Sequence, residues 1–350
     1  MSYLDHESTV RSQLANITHT DPSDWHLVFK ARYGMEVVFE ELRLKRGAGT
    51  VLTQAFTCAT AVAPILVAGH KPKYVDIEKD TMMIDPNLVS ITDDVKAVVI
   101  QHTFGIIADE QSSEIAELAH DGGVIVLEDS AHSLGVICRD SAGKPVADVS
   151  IHSFGVEKLL PTRFGGAVWV NPQMKDQGLR TQLTSALENL PVVSGYLSTV
   201  SRAYATESRV LRHIPQRAST VMRGALEKSR LFEPPISNRE LEGGLPHRAS
   251  KPAPWMIKEI KLALDSFDAI STQRTAASVL YAQILSDAGV EVPALAKTPA
   301  PLVRFPFFAK DEGAVERIEG AIRRAGYFPG HWYRPLLFPG PDDFGAYNFD

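Results

Sequence analysis

Cysteine is nearly absent: Cys58 and Cys138 are the only two, too few for a disulfide framework and without the paired spacing of a zinc site. No apolar run reaches the roughly 18 residues that a membrane span requires. The first thirty residues carry Asp5, His6, Glu7, Arg11, Asp21 and Asp24, which leaves no apolar core for a signal peptide. Basic charge is not in excess either, with 36 Lys and Arg against 42 Asp and Glu, so no basic stripe marks a nucleic-acid surface. Internal repeats and low-complexity segments are missing as well. These absences point to a soluble cytoplasmic protein with neither nucleic acid nor membrane as a partner. Core-forming residues, by contrast, are plentiful: 44% of 350 residues are hydrophobic, which allows two domains.

Strand and helix patterns alternate along the first half. His26 to Lys30 reads as a short strand, and Ala31-Arg32-Tyr33-Gly34 as the turn into a helix from Met35 to Leu44. A strand that feeds a helix N-terminus is a natural anion site, because free backbone N–H groups and the helix dipole both favour negative charge. Val51 to Cys58, Lys73 to Ile77, Val95 to His102 and Val124 to Leu127 read as further strands, with helices at Thr60 to Ala68 and Ile115 to His120 between them. Such spacing demands crossover connections, so the sheet is expected to be mainly parallel. Beyond Val170 the reading changes to mostly helical stretches, Met174 to Thr199 and Ser201 to Phe232, broken by Glu233-Pro234-Pro235-Ile236. A proline-rich loop from Pro246 to Pro254 then precedes one long helix, Trp255 to Ala288, followed by a strand at Leu302 to Phe308 and an amphipathic helix from Glu312 to Ala325.

Two stretches carry chemistry. In Val124-Ile125-Val126-Leu127-Glu128-Asp129-Ser130-Ala131-His132 an apolar strand ends in a carboxylate pair, at the strand end where open α/β sheets place their ligands. In Ser153-Phe154-Gly155-Val156-Glu157-Lys158 a hydroxyl is followed by a lysine, and Gly165-Gly166 then opens the apolar run Ala167 to Val170. Alone, Lys158 would read as a surface lysine in a polar turn. An amine held near apolar walls instead loses solvation of its charged form, and its lowered pKa makes it a nucleophile toward an aldehyde. An aspartate at one strand end and a lysine at another are what pyridoxal phosphate needs: the lysine for its aldehyde, the carboxylate to keep its ring nitrogen protonated.

The order of these motifs resembles the fold type I pyridoxal phosphate enzymes, specifically the sugar aminotransferases of the DegT/StrS type. The family's Glu-Asp-x-Ala-(Gln/His) strand end, Ser-Phe-x-x-x-Lys turn and Gly-Gly-Ala strand are matched by Glu128 to His132, Ser153 to Lys158 and Gly165 to Ala167, and its His-x-(Phe/Tyr)-Gly by His102 to Gly105. The resemblance runs from about Val51 to Val170 and more loosely beyond. It implies an α/β fold, a mainly parallel sheet flanked by helices, with a large cofactor domain at 1–240 and a smaller α+β domain at 241–350. It implies pyridoxal 5'-phosphate as cofactor, an amino acid such as glutamate or glutamine as donor, and a keto-sugar nucleotide as acceptor. Lys158 and Asp129 would be catalytic, with His132, Ser153, Arg32, Tyr33 and Cys58 completing the cofactor site.

Departures from the family pattern are also legible. Its Ser-Gly-Thr phosphate turn is replaced by the segment holding Arg32, which either contacts the phosphate or stands on an exposed turn. Cys58 takes the place of the ring that stacks on the cofactor, or is an ordinary small buried residue. His132 is expected at the cofactor ring, with a structural hydrogen bond as its other reading. The family's interface loop, which reaches the partner's site in a homodimer, corresponds to Leu245 to Lys251, where only Arg248 and Lys251 are suited to that contact. Trp332 to Leu336 resembles a substrate-side segment, and the chain stops at Asp350 where the family has one more strand and helix, so a reduced or truncated small domain is expected. Two other functions compete: a sugar dehydratase, which in one family type has histidine in place of the lysine retained here, and a partner or regulatory subunit without turnover.

Overall fold

The computed structural model describes residues 3–327, Gly330 and Phe338. Helix α1 (Tyr3–Thr18) leads into strand β1 (Trp25–Val28), and α2 (Ala31–Arg46), β2 (Thr50–Gln54), α3 (Ala59–Val67), β3 (Lys71–Val75), β4 (Val95–Gln101), α4 (Asp109–Asp121), β5 (Ile125–Ser130), β6 (Val149–Ser153) and β7 (Gly166–Val170) follow. Helix α2 forms because Met35, Val38, Phe39 and Leu42 fall on one face, and all four are buried. Arg43, Lys45 and Arg46 in its last turn complement the dipole, and Gly47 ends it with φ 80°.

The strands form one sheet in the order β1-β7-β6-β5-β4-β2-β3. Neighbours from β3 through β2, β4 and β5 to β6 are parallel. Strand β7 runs antiparallel to both β6 and β1, which makes β1 parallel to β6. The carboxyl ends of β1, β5 and β6 and the start of β7 therefore share one edge of the sheet. One face is packed by α2 and the next helix, α5 (Gln177–Glu188), through Val38, Phe39, Leu42 and Leu183. The other face buries Leu14, Trp25, Trp169 and Ile257.

Beyond the sheet come α6 (Gly195–Arg212), α7 (Gln216–Lys228), the short α8 (Asn238–Leu241), α9 (Pro254–Leu264), α10 (Phe267–Asp287) and α11 (Glu312–Arg324). Two expectations need correction. The single helix read from Trp255 to Ala288 is two helices, parted at Asp265 and Ser266, where Asp265 N bonds back to Lys261 O. The strand read at Leu302 to Phe308 is not one: the segment makes only an isolated bridge, Phe308 to Glu291, with Leu302 and Val303 held by backbone bonds to Ala300 and Phe104. The segment Trp332 to Leu336 lies outside the described residues.

Candidate active site

The edge shared by β1, β5, β6 and β7 opens into a cavity of about 430 Å³, lined among others by Lys158, Asp129, His132, Ser153, Cys58 and Arg32. Lys158 sits in the loop between β6 and β7. This loop is tied down at both ends, Phe154 N bonding to Gly165 O at 3.0 Å and Thr162 Oγ1 bonding to Phe154 O. Its Gly-Gly exit is dictated by packing. Gly165 has φ 128° and a Cβ there would lie 2.6 Å from Ile260, while a Cβ on Gly166 would lie 2.5 Å from Ala31 N. Glycine at 166 is thus what lets β7 lie against the first turn of α2.

The Lys158 ammonium makes no hydrogen bond or ion pair among the described residues. Burial lowers its pKa, with the Arg32 and Arg304 charges acting in the same sense and Cys58 and Asp129 against it. Asp129 ends β5 and accepts from Ala131 N at 3.0 Å. Burial raises its pKa, and the charge of Lys158 works in the opposite direction. The His132 ring lies parallel to Phe104, centroids 6.1 Å apart, and its Nδ1 accepts from Phe104 N at 3.1 Å, which leaves the ring proton on Nε2. Burial, then Lys158 and Arg304, push its pKa well below the usual histidine value, so the imidazole is neutral. Ser153 Oγ accepts from Gly155 N at 3.2 Å and keeps its own proton for donation. Cys58 precedes α3, its Sγ 3.1 Å from Thr60 Oγ1.

Of the seven residues expected in the cofactor site, Tyr33 alone does not line the cavity. It is 0% exposed, stacked on Phe29 in an apolar cluster, because one step along α2 from Arg32 turns the side chain by about 100°. Arg32 reaches the cavity wall, yet its guanidinium is engaged by Glu240 and by Pro235 O. The loop Leu245 to Lys251 is tied into its own chain, with Phe29 N bonding to Ser250 O, Lys251 N to Pro191 O and His247 to Glu233. Sequence reasoning missed Lys30 and Gln101 in the cavity wall. Gln101 was findable, since it is the last residue of a strand that ends beside Asp129.

Residues 31–188 match the DegT/DnrJ/EryC1/StrS aminotransferase family. That segment holds the whole edge from α2 to β7, and the resemblance read from the motifs is borne out. A pleiotropic regulatory protein of Geobacillus stearothermophilus is 34% identical over 112 residues, 31% of this chain and 30% of that protein. Protein MosB of Rhizobium meliloti is 34% identical over 119 residues, 33% and 23% of the two chains. The matches thus span less than a third of these relatives' lengths. The putative sugar aminotransferase Spr1654 of Streptococcus pneumoniae superposes with a TM-score of 0.66 at 18% identity, covering 98% of this chain and 80% of that one. PseC of Helicobacter pylori, an aminotransferase involved in the biosynthesis of pseudoaminic acid, gives 0.65 at 15%, covering 97% and 80%. This is the fold of pyridoxal phosphate-dependent aminotransferases, as the motifs led one to expect.

Proposed function

We propose that this chain is a pyridoxal 5'-phosphate-dependent aminotransferase that moves an amino group from an amino acid, glutamate or glutamine, to a keto-sugar nucleotide. The observation that carries the reading is the presence of Lys158 and Asp129 in one cavity, the lysine without a hydrogen bond among the described residues and lowered in pKa by burial. The family match over residues 31–188 and the likeness of the fold to those aminotransferases support it.

The side chains present fit the cofactor. Lys158 is the amine for its aldehyde, Asp129 the carboxylate for its ring nitrogen, neutral His132 a donor beside the ring, and Ser153 with Arg32 the donors for its phosphate. When bound, pyridoxal phosphate supplies a carbonyl carbon and an electron-withdrawing ring. Lys158, whose charged form burial disfavours, would then be the base that takes and returns the substrate proton. Asp129 holds a proton on the ring nitrogen. Cys58 offers no aromatic face, and Phe104 is the ring held parallel to His132 instead.

The test is borohydride reduction of the protein loaded with pyridoxal phosphate, followed by peptide mass spectrometry. The adduct is expected on Lys158 and absent from Lys158→Ala; an adduct confined to another lysine overturns the assignment. Loaded protein is also expected to convert an amino donor to its keto acid.

The working unit proposed is a cytoplasmic homodimer, the state that the family resemblance implies. A monomer by sedimentation at micromolar concentration would refute that. A second reading, a regulatory subunit without turnover, is favoured by the engagement of Arg32 with Glu240 at the anion end. It predicts cofactor binding with no conversion of any donor.

A further inference from the structure

The cavity end at the N-terminus of α2 is built from paired charges brought together over long chain separations. Lys30, 5% exposed, pairs with Glu233 and donates to Pro234 O at 3.0 Å. Arg32 pairs with Glu240 and donates to Pro235 O at 2.9 Å. Both cations line the cavity. Both carboxylates belong to one segment, Glu233 to Leu241, which also lays Pro235 and Ile236 along the cavity wall.

Glu240, 0% exposed, spends both oxygens. Oε1 takes Arg32, and Oε2 accepts Ser237 N at 2.5 Å, closing the capping box that starts α8. Glu233 likewise uses one oxygen for Lys30 and the other for His247 Nε2 at 2.8 Å. A carboxylate this deep is tolerable only beside a cation, so segment and cations fix one another. The donors are not exhausted: an ammonium has three N–H groups and a guanidinium five, and each cation here spends only part of its set. The Tyr33 hydroxyl, buried among the same charges, has no partner among the described residues. Among the first amides of α2, Tyr33 N is already taken by Lys30 O at 3.0 Å.

We propose that Glu240 and Glu233 are positioning residues for an anion site at this end of the cavity, holding Arg32 and Lys30 so that their remaining donors receive a phosphate. The site is then assembled by this chain itself. This rests on the functional reading above, where the phosphate is that of the cofactor or one carried by the acceptor. A carboxylate beside an anion also repels it, so the two roles open to Glu240 have opposite signs. If it merely competes for Arg32, removing its charge strengthens phosphate binding; if it positions Arg32, removal weakens it.

Arg32→Gln, Glu240→Gln and their double variant would be titrated calorimetrically with pyridoxal phosphate and with inorganic phosphate. Capture of pyridoxal, which has no phosphate, would be followed on Lys158 by reduction and mass spectrometry. Each single variant is expected to lose about tenfold or more in phosphate-ligand affinity, and the double variant no more than the weaker single, because both break one contact. Arg32→Lys, which keeps the charge but not the fork, is expected to fall between. Every variant should still capture pyridoxal on Lys158, which separates this effect from unfolding; the Arg32→Gln variants are expected to do so more slowly, since the Arg32 charge helps to lower the Lys158 pKa. If Arg32→Gln weakens pyridoxal phosphate itself, the anion is the cofactor's. If it weakens only inorganic phosphate binding to the loaded protein, the anion is the acceptor's. Unchanged or tighter phosphate binding by Glu240→Gln, or additive losses, would overturn the proposal. Failure of the parent to capture pyridoxal on Lys158 would instead overturn the functional reading.

Discussion

At Asp129 two forces oppose each other, and their balance is the chemistry. Burial favours the protonated acid, while the neighbouring Lys158 charge favours the carboxylate. In the functional reading, a protonated ring nitrogen adds a second positive neighbour and holds the side chain ionised. Its largest effect falls in the step that spreads negative charge into the ring, a charge absent from the resting state. Losing one such contact costs several kcal/mol there, on the order of a hundredfold or more in rate. Asp129→Asn is therefore expected to keep its visible absorbance with pyridoxal phosphate and lose at least about 99% of its donor conversion, measured by stopped-flow absorbance with glutamate. Near-parental rates would show that Asp129 is not the ring's partner, and the link between it and Lys158 would fall.

Individual elements differ in how far their sequence announced them. Strand β5 was legible because a parallel strand covered on both faces reads as one apolar run, and its polar end then had to be a site. The turn holding Lys158 was legible through Ser153 and the Gly165-Gly166 pair, whose necessity the packing against Ala31 explains. Helix α9 was expected to continue through α10, since no glycine or proline marks the break at Asp265 and Ser266, and two polar residues are common within an exposed helix face. Leu302 to Phe308 has strand composition, but no sheet edge is offered to it. Within the segment from Glu233 to Leu241, only Glu233 to Ile236 was read, as a break in a helical run. Its meaning lies in Lys30 and Arg32, which precede it by 203 and 208 residues at the two contacts, and no local pattern encodes a pairing at that distance. Tyr33 was misplaced for a simpler reason: a turn names its residues, whereas the helix phase decides which of them face the ligand.

For the whole molecule the buried histidines set the response to acid. His26 in β1 is 1% exposed and neither ring nitrogen has a partner among the described residues. Burial first, then the charges of Arg11, Lys251 and Arg180, lower its pKa to about 3. His152 in β6, its ring 4.9 Å from that of Trp25, is lowered to about 4, again by burial first. In the unfolded chain both take up protons near pH 6.5, whereas the folded chain resists until pH 3 to 4. Between these limits the unfolded state binds more protons, so stability is complete above pH 6.5 and is lost as pH falls below it. At about 1.4 kcal/mol per unit and group, descent from pH 6.5 to 4.5 removes roughly 5 kcal/mol, comparable with the whole stability of many domains. Glu36 on α2 acts in the opposite direction, its pKa raised to about 7 by burial and by Glu40. It is partly solvated, and its offset is correspondingly smaller. His26→Leu removes one of these titrations and two unsatisfied nitrogens, so it is expected to match the parent at pH 7.5 and to lose less stability than the parent by pH 5, with His152 and the likewise depressed His132 still taking part. Urea midpoints at pH 7.5, 6 and 5 measure this. Parallel pH profiles for variant and parent would mean that His26 does not contribute to the acid response, and that the carboxylates govern it instead.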